Sequence, residues 1–327
     1  MENMKQNSKE DIKALNIKED ENKDKIKDNN NKNIKLKELM VKLKYHTGYI
    51  FCSTLLKDRR FASGSDDNSI IIYNNKTFKP DIIIKEHYGN VNCLIQLSSG
   101  ILASCSEDST IKLYNIKENE YQVIQTLNYH TDLVFKLIEL NNNKLVSCSK
   151  DNNIIFYYKD NDKYVIDYQF KTNGSNYRLI QTKENEICFA EHKESSSIYF
   201  YDFFERKIIS RINNIDNCFS FTMISKDLLM ITGDNKISII NINSYNIIRI
   251  IYVPNSFYIN DTCILNENQL LTCDINKNII QWKIEENNLI LISKKENAHD
   301  YSIYTLLKID DRHILSGDSF GYIKIWK

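Results

Sequence analysis

The stretch at residues 86–115, EHYGNVNCLIQLSSGILASCSEDSTIKLYN, contains the pattern on which most of the chain is built. It holds three short runs of β-branched and apolar residues. Turn residues separate these runs, first at Ser99-Gly100 and then at Glu107-Asp108. Short apolar runs between turn signals predict strands, and three in succession predict a small antiparallel sheet.

The same order of residues returns along residues 36–327. In each copy, an isoleucine after the second turn is followed three residues later by an aromatic residue, at intervals of about 40 to 45 residues. These positions are Tyr73, Tyr114, Tyr157, Tyr201, Trp282 and Trp326, with Ile240 in the same place between Tyr201 and Trp282. This period is typical of four-stranded propeller blades, so the sequence predicts an all-β, seven-bladed β-propeller.

Three residue types recur at fixed spacing within the best copies. A histidine lies four residues before a β-branched residue, a serine ends the next strand pattern, and an aspartate follows that serine by four residues. The positions are His46, Ser63 and Asp67; His87, Ser104 and Asp108; and His130, Ser147 and Asp151, while the last copy repeats His299, Ser316 and Trp326.

This pattern resembles the WD-repeat family, whose units carry Gly-His near the start and Trp-Asp near the end. The resemblance implies a hydrogen-bonded network of these His, Ser, Asp and Trp side chains inside each blade. The chain departs from the family pattern, because tyrosine replaces tryptophan in units one to four and units four to six lack the histidine, with Asn173 in its place in unit four. Since tyrosine has no indole N–H, we expect a shortened network in units one to three. We also expect looser packing in units four to six.

The ring is expected to close with a strand from the other end of the chain. Six units have an outer strand pattern after the aromatic position, whereas the seventh ends at Lys327. A spare strand pattern lies at residues 36–44, and we expect it to pair with residues 322–326 so that no outer edge is left open. Residues 1–35 are rich in Lys, Asn, Asp and Glu, which predicts a disordered tail.

Composition excludes several classes of function. The 43 basic and 43 acidic residues balance, and duplex nucleic acid is therefore not an expected partner. The sequence contains neither an apolar run of the roughly 18 residues that span a membrane nor the apolar core of a signal peptide. The eight cysteines follow the repeat and form no Cys-x-x-Cys pair, which predicts small buried thiols rather than a metal site. Together these features predict a cytoplasmic or nuclear protein without a cofactor.

Two classes of function remain open, a binding platform and an enzyme. The sequence has no phosphate-binding glycine loop, no His-Glu-x-x-His and no Gly-x-Ser-x-Gly. Arg178 is the one charged residue among those just after the start of the innermost strand, and no general base faces it in that register. These positions are Phe51, Asn92, Phe135, Arg178, Phe219, Asn260 and Tyr304. This favours a non-catalytic scaffold or adaptor that is monomeric within a larger complex. The alternatives are a hydrolase or lyase with its site in the central channel, and the substrate receptor of a ubiquitin ligase.

Partners, which we expect to be proteins or peptides, should bind at the channel mouth. There the unit-start loops and the turns after the second strands emerge on one side of each blade. Residues just before the first strand are Tyr49, Asn90, Leu133, Asn176, Asn217, Tyr258 and Ser302, and those just before the turn aspartates are Asp66, Glu107 and Lys150. Tyr49, Leu133 and Tyr258 are the expected anchors, since exposed aromatic and apolar groups often anchor protein interfaces. Arg178 leaves room for one contact with an anionic group of the partner.

Overall fold

A computed structural model of the protein describes residues 38–193, 196–215 and 217–327. The expected tail at residues 1–35 and the domain boundary at residue 36 lie outside the described residues. The described residues form 28 strands in seven four-stranded antiparallel sheets, which confirms the predicted seven-bladed β-propeller.

The strands follow the repeat, after an initial β1 (Leu39–Lys44). Blade one contains β2 (Ile50–Leu55), β3 (Phe61–Ser65), β4 (Ile70–Tyr73) and β5 (Pro80–Ile84). Blade two contains β6 (Val91–Gln96), β7 (Leu102–Ser106), β8 (Ile111–Ile116) and β9 (Tyr121–Leu127). Blade three contains β10 (Val134–Glu139), β11 (Leu145–Ser149), β12 (Asn153–Asp160) and β13 (Lys163–Lys171).

The second half of the ring repeats this order. Blade four contains β14 (Ser175–Lys183), β15 (Glu186–His192), β16 (Ser196–Asp202) and β17 (Lys207–Ile215). Blade five contains β18 (Ser220–Met223), β19 (Leu228–Thr232), β20 (Lys236–Asn241) and β21 (Asn246–Tyr252). Blade six contains β22 (Ile259–Asn266), β23 (Gln269–Asp274), β24 (Ile279–Glu285) and β25 (Asn288–Lys295). Blade seven contains β26 (Ile303–Lys308), β27 (Ile314–Asp318) and β28 (Tyr322–Trp326), with β1 as its outer strand.

Blade seven is completed by the two ends of the described chain. Strand β1 pairs antiparallel with β28, with Val41 opposite Ile325 and Leu43 opposite Ile323. Strand β28 is therefore paired on both sides. The expected closing pair, residues 36–44 with 322–326, corresponds to this pairing from Leu39 onwards.

Residues with a left-handed backbone conformation end the strands at the turns. In blade two, Gly100 has a φ of 90° in the turn between β6 and β7, and its N–H donates to the carbonyl of Leu97 at 2.8 Å. Glycine adopts this left-handed backbone conformation without a steric cost. In the turn between β7 and β8, Ser109 has a φ of 68°, and the equivalent Asn68 and Asn152 have φ values of 66° and 67°.

The core lies between the blades. Seven clusters of buried apolar side chains each join two neighbouring blades, and the last joins blade seven to blade one. In that last cluster, Phe61 and Tyr73 of blade one meet Ile323 and Ile325 of blade seven. The first strands of the blades contact one another in an unbroken cycle, so they line a central channel.

Candidate interaction site at the channel mouth

The repeated His, Ser and Asp side chains meet in blades one to three. His46 Nδ1 lies 2.9 Å from Asp67 Oδ2, and His46 Nε2 lies 2.7 Å from Ser63 Oγ. The corresponding distances are 2.7 and 2.6 Å for His87 with Asp108 and Ser104, and 2.8 and 2.7 Å for His130 with Asp151 and Ser147. Each aspartate also accepts a backbone N–H from the residue after its histidine, so it fixes the unit-start loop to the turn.

The tyrosines extend this network rather than shorten it. The hydroxyl groups of Tyr73 and Tyr114 lie 3.3 Å from the serine Oγ of their blades, and that of Tyr157 lies 3.0 Å from Ser147 Oγ. The expectation of a shortened network was therefore wrong. A phenolic hydroxyl both donates and accepts, so it can hydrogen-bond the serine as an indole N–H does.

Blade seven holds a complete network with tryptophan. Trp326 Nε1 donates to Ser316 Oγ at 2.7 Å, and Ser316 Oγ lies 2.6 Å from His299 Nε2. His299 Nδ1 lies 2.8 Å from Asp318 Oδ2. The sequence prediction missed Asp318, because this aspartate follows its serine by two residues instead of four. It lies at the end of β27, and the motif Leu-Ser-Gly-Asp at the end of a strand pattern is the signal that could have identified it.

Blades four and six use other polar groups at the same place. In blade four, Glu191 accepts the N–H of Asn173 at 3.0 Å and the hydroxyl of Tyr199 at 3.2 Å. In blade six, Ser256 donates to Asp274 at 2.6 Å. The indole of that blade is held separately, because Trp282 donates to Thr272 at 2.9 Å. The looser packing expected for blades four to six stays a prediction.

The networks shift the pKa values of their acids and of one histidine. Burial alone would raise the pKa of Asp67, Asp108 and Asp151, but the histidine of each blade, neighbouring hydroxyl groups and backbone N–H groups together outweigh it. The net pKa of Asp151 is about 2, and those of Asp67 and Asp108 also lie well below their usual range. Burial lowers the pKa of His299, against the opposing hydrogen bond to Asp318.

The unit-start loops and the turns after the second strands lie together at one rim. In five blades, a backbone N–H of the turn donates to the carbonyl of the residue just before the first strand. These bonds join Asp66 to Tyr49, Glu107 to Asn90, Lys150 to Leu133, Ile275 to Tyr258 and Ser319 to Ser302, at 2.9 to 3.3 Å. The loop positions predicted to bind partners therefore belong to a rim fixed by main-chain hydrogen bonds.

Two of the expected anchors are exposed aromatic residues. Tyr49 is 42% exposed, and its ring lies 5.5 Å from that of Tyr304 and 5.8 Å from that of Phe51. Tyr258 is equally exposed, lies 5.1 Å from the ring of Phe219, and has a φ of 40°. Leu133 is half-buried. Each tyrosine thus packs on a neighbour and still presents a face to solvent.

An open cavity of about 780 Å³ lies inside the ring of first strands. Four of the predicted partner-binding residues line it: Glu107, Lys150, Arg178 and Tyr258. The other five, which are not among its lining residues, are Tyr49, Asp66, Asn90, Leu133 and Ser302. In the described part of the chain, the prediction thus combined residues of the cavity wall with residues of the surrounding rim.

A β-bulge near the start of the first strand determines which side chains enter the cavity. Six of the seven first strands show a register shift there, for example between Ile50 and Cys52 of β2. A bulge inserts one unpaired residue and re-aims the neighbouring side chains. As a result, both the bulged residue and the residue after it line the channel, as Phe135 and Lys136 do in blade three.

The bulges correct two assignments made from the sequence. Arg178 is not equivalent to Phe51, because Tyr177 is the bulged residue of blade four. Arg178 instead shares its position with Lys136 of blade three and Asp261 of blade six, so it is not the one charged residue of the inner ring. Asn176 does not lie on the rim either, because it is fully buried and paired with Glu191.

Polar bulged residues cap the open edge of the next blade. Asn92 Nδ2 donates to the carbonyl of Val134 at 3.0 Å, and Asn260 Nδ2 donates to that of Ile303 at 2.7 Å. Arg178, which follows the bulged residue of blade four, also caps the next blade, because its Nε donates to the carbonyl of Phe219. These bonds supply partners to carbonyls at the inner edge, which an antiparallel sheet would otherwise leave exposed.

Asp261 is a half-buried acid on the wall of the channel. Its Oδ1 accepts the N–H of Thr262 at 2.8 Å, and its Oδ2 accepts the N–H of Leu306 in the next blade at 2.9 Å. Burial raises its pKa in spite of these bonds. Among residues 38–193, 196–215 and 217–327, no group of three His, Cys, Asp or Glu side chains is placed to hold a metal ion. Within the same ranges, no helix is long and apolar enough to cross a membrane.

Comparison with known proteins gives a family match for the first two copies of the repeat. The family model described as "WD domain, G-beta repeat" matches residues 37–74 and residues 78–115. The first match ends at Tyr73-Asn74 and the second at Tyr114-Asn115, so each extends to the aromatic residue of the third strand of its blade. No curated protein matches the chain in sequence.

Proposed function

Because this chain is a seven-bladed β-propeller of WD repeats, we propose that it is a non-catalytic scaffold or adaptor that binds other proteins at the mouth of its channel. Propellers of this family generally mediate protein–protein interaction and are typically not enzymes. The chain supplies both a closed ring and a rim of loops on which a partner can bind.

The observation that carries the proposal is the rim itself. Five main-chain hydrogen bonds fix its loops to the turns beside them, so a partner would meet a surface with little conformational entropy to lose. Tyr49 and Tyr258 present aromatic surface there, and such residues are enriched among the anchors of protein interfaces.

Substitution of the rim anchors tests this proposal. The full chain is used as bait in extracts of the cells that make it, beside a Tyr49→Ser, Leu133→Ser, Tyr258→Ser triple variant. The control carries Ile83→Ser, Tyr158→Ser and Ile290→Ser, which change three exposed apolar or aromatic side chains on other parts of the blades. We expect the rim variant to fold but lose the partners that the control retains. A rim variant that keeps the whole set of partners would contradict the proposal.

We further propose that the protein functions in a reducing compartment, the cytoplasm or the nucleus. All eight cysteines are free thiols, and seven of them are buried. Fractionation of cells that express the tagged full chain would test this, and recovery from a secretory compartment would contradict it.

A further inference from the structure

Two cations lie side by side on the wall of the channel. Lys136 and Arg178 occupy the same position of the first strand in blades three and four, directly after the bulge. Both are half-buried, and both line the cavity. Charged groups that are withdrawn from water are usually paired, because burial of an unpaired charge is costly.

Lys136 has no such partner in the part of the chain that the structure describes, since its ammonium group makes no hydrogen bond or ion pair there. The titratable groups around it are the thiols of Cys93, Cys105, Cys52 and Cys148, the guanidinium group of Arg178 and the carboxyl group of Asp261. The nearby cation adds repulsion, so the ammonium group lies in a place that favours an incoming anion.

The guanidinium group of Arg178 donates hydrogen bonds to backbone carbonyls and not to a carboxylate in the described part of the chain. Its Nε donates to the carbonyl of Phe219 and its Nη1 donates to that of Tyr177 at 2.7 Å. Among the described residues it forms no ion pair with a carboxylate. Its remaining N–H groups are therefore available to an anion beside Lys136.

The acids of the channel do not neutralise this pair. Asp261 is held by the N–H groups of Thr262 and Leu306, and Glu107 lies at the mouth, in the turn after β7. The residues that line the cavity include three cations, Lys136, Lys150 and Arg178, and only these two acids. Among the inner groups, Lys136, Arg178 and Asp261, one positive charge remains uncompensated.

We propose that the channel receives a carboxylate side chain, Glu or Asp, from a partner peptide, and that Lys136 and Arg178 bind it. This proposal rests on the function proposed above and names the chemistry of the partner. A carboxylate carries one negative charge and so matches the single uncompensated charge of the inner groups. A phosphate group carries up to two charges at neutral pH, and the second would face the carboxylate of Asp261.

The rest of the cavity suits a peptide side chain. Phe51, Phe135, Phe219 and Tyr304 line it and provide apolar surface beside the two cations. Such a site holds an ion pair in a partly desolvated setting, where charge pairs are worth more than at an open surface. A strand of nucleic acid would need a track of cations, and the acids at the channel mouth, Asp66 on the rim and Glu107 on the cavity wall, interrupt such a track.

Binding of three short peptides to the full chain tests the proposal. The probes are rhodamine-labelled Gly-Ser-Tyr-Glu-Tyr-Ser-Gly and the same peptide with Gln or phosphoserine in place of Glu, followed by fluorescence anisotropy. We expect the Glu peptide to bind about tenfold more tightly than the Gln peptide and more tightly than the phosphoserine peptide. Equal binding of the Glu and Gln peptides, or no binding of the Glu peptide up to about 1 mM, would overturn the proposal. Tighter binding of phosphoserine would overturn the choice of a carboxylate.

A matched pair of variants connects the binding to the channel. Lys136→Met keeps the length of the side chain and removes its charge, and we expect it to weaken binding of the Glu peptide about tenfold or more. Lys163→Met removes an exposed charge from the outer strand β13 and should bind as the unaltered protein does. Equal affinities of the two variants would contradict a role for Lys136.

The two proposals fail in different ways. If the rim triple variant loses its partners while Lys136→Met retains them with unchanged affinity, the interaction platform stands and the carboxylate site is wrong. If the rim triple variant retains all partners, the channel-mouth platform itself is wrong.

Discussion

At the scale of single residues, different side chains form the same hydrogen-bonded network in blades one to three and in blade seven. Tyrosine replaces tryptophan in blades one to three, and the serine still finds a hydrogen-bond partner. In blade seven, Asp318 reaches His299 from a position two residues earlier than the aspartates of the other blades. The geometry of the network is thus kept by different side chains.

Removal of one tyrosine hydroxyl should have a measurable cost. Tyr157→Phe removes the group that lies 3.0 Å from buried Ser147, so we expect the free energy of unfolding to fall by about 1 kcal/mol. Tyr88→Phe is the control, because Tyr88 is 91% exposed. Urea unfolding of both variants measures the difference. Equal midpoints for both variants and the unaltered chain would show that the hydroxyl contributes nothing.

The buried histidine of blade seven should make stability depend on pH. Its folded-state pKa lies below the unfolded value of about 6.5, so the unfolded chain binds the proton more readily. Stability is then lost as the pH falls below about 6.5. The lowered pKa values of Asp67, Asp108 and Asp151 affect stability in a separate pH range. The stability that these carboxylates contribute is lost only as the pH falls below about 4.

The slope of stability against pH tests this assignment. Between about pH 7.5 and 5.5, the free energy of unfolding should fall more steeply for the unaltered chain than for His299→Asn. The control is His192→Asn, since His192 is exposed at the end of β15. Identical slopes for the unaltered chain and His299→Asn would contradict the role of this histidine.

At the scale of elements, the bulge in the first strand determines what the channel contains. It turns two successive residues toward the channel and lets polar ones reach the next blade. Asn92 and Asn260 use this position to cap carbonyls of the neighbouring first strand. The same element therefore contributes to the contact between blades and to the lining of the cavity.

Loss of one such cap should destabilise the ring. Asn92→Ala leaves the carbonyl of Val134 without its side-chain partner, which should cost about 1 to 3 kcal/mol. The control is Asn141→Ala, an exposed residue in the turn after β10. Chemical unfolding of the two variants distinguishes them. A cost no greater than that of the control would mean that water satisfies this carbonyl equally well.

The repeat made the blades predictable from the sequence, whereas the residues that line the channel were not predictable because of the β-bulges. Periodic apolar runs and turn residues were enough to place all seven blades, because each unit repeats the same pattern. The positions of Arg178 and Asn176 were misassigned, because the sequence does not reveal which residue a bulge leaves unpaired. Lys136 and Asp261 were missed for the same reason. Asp318 was missed because the expected spacing was taken from blades one to three.

At the scale of the whole molecule, the ring depends on contacts between the ends of the described chain. Strand β1 supplies the outer strand of blade seven, and Val41 and Leu43 pack against the cluster that joins blade seven to blade one. A ring without this strand would leave the outer edge of β28 open and part of that cluster exposed. The channel and its rim exist only while the ring is closed.

Thermal unfolding of two truncated chains tests this closure most directly. A variant that lacks residues 1–33 retains β1, and we expect its midpoint to equal that of the full chain. A variant that lacks residues 1–44 loses the pairing of β1 with β28, and we expect no cooperative unfolding transition. Equal midpoints for the two truncated chains would contradict a ring closed by β1.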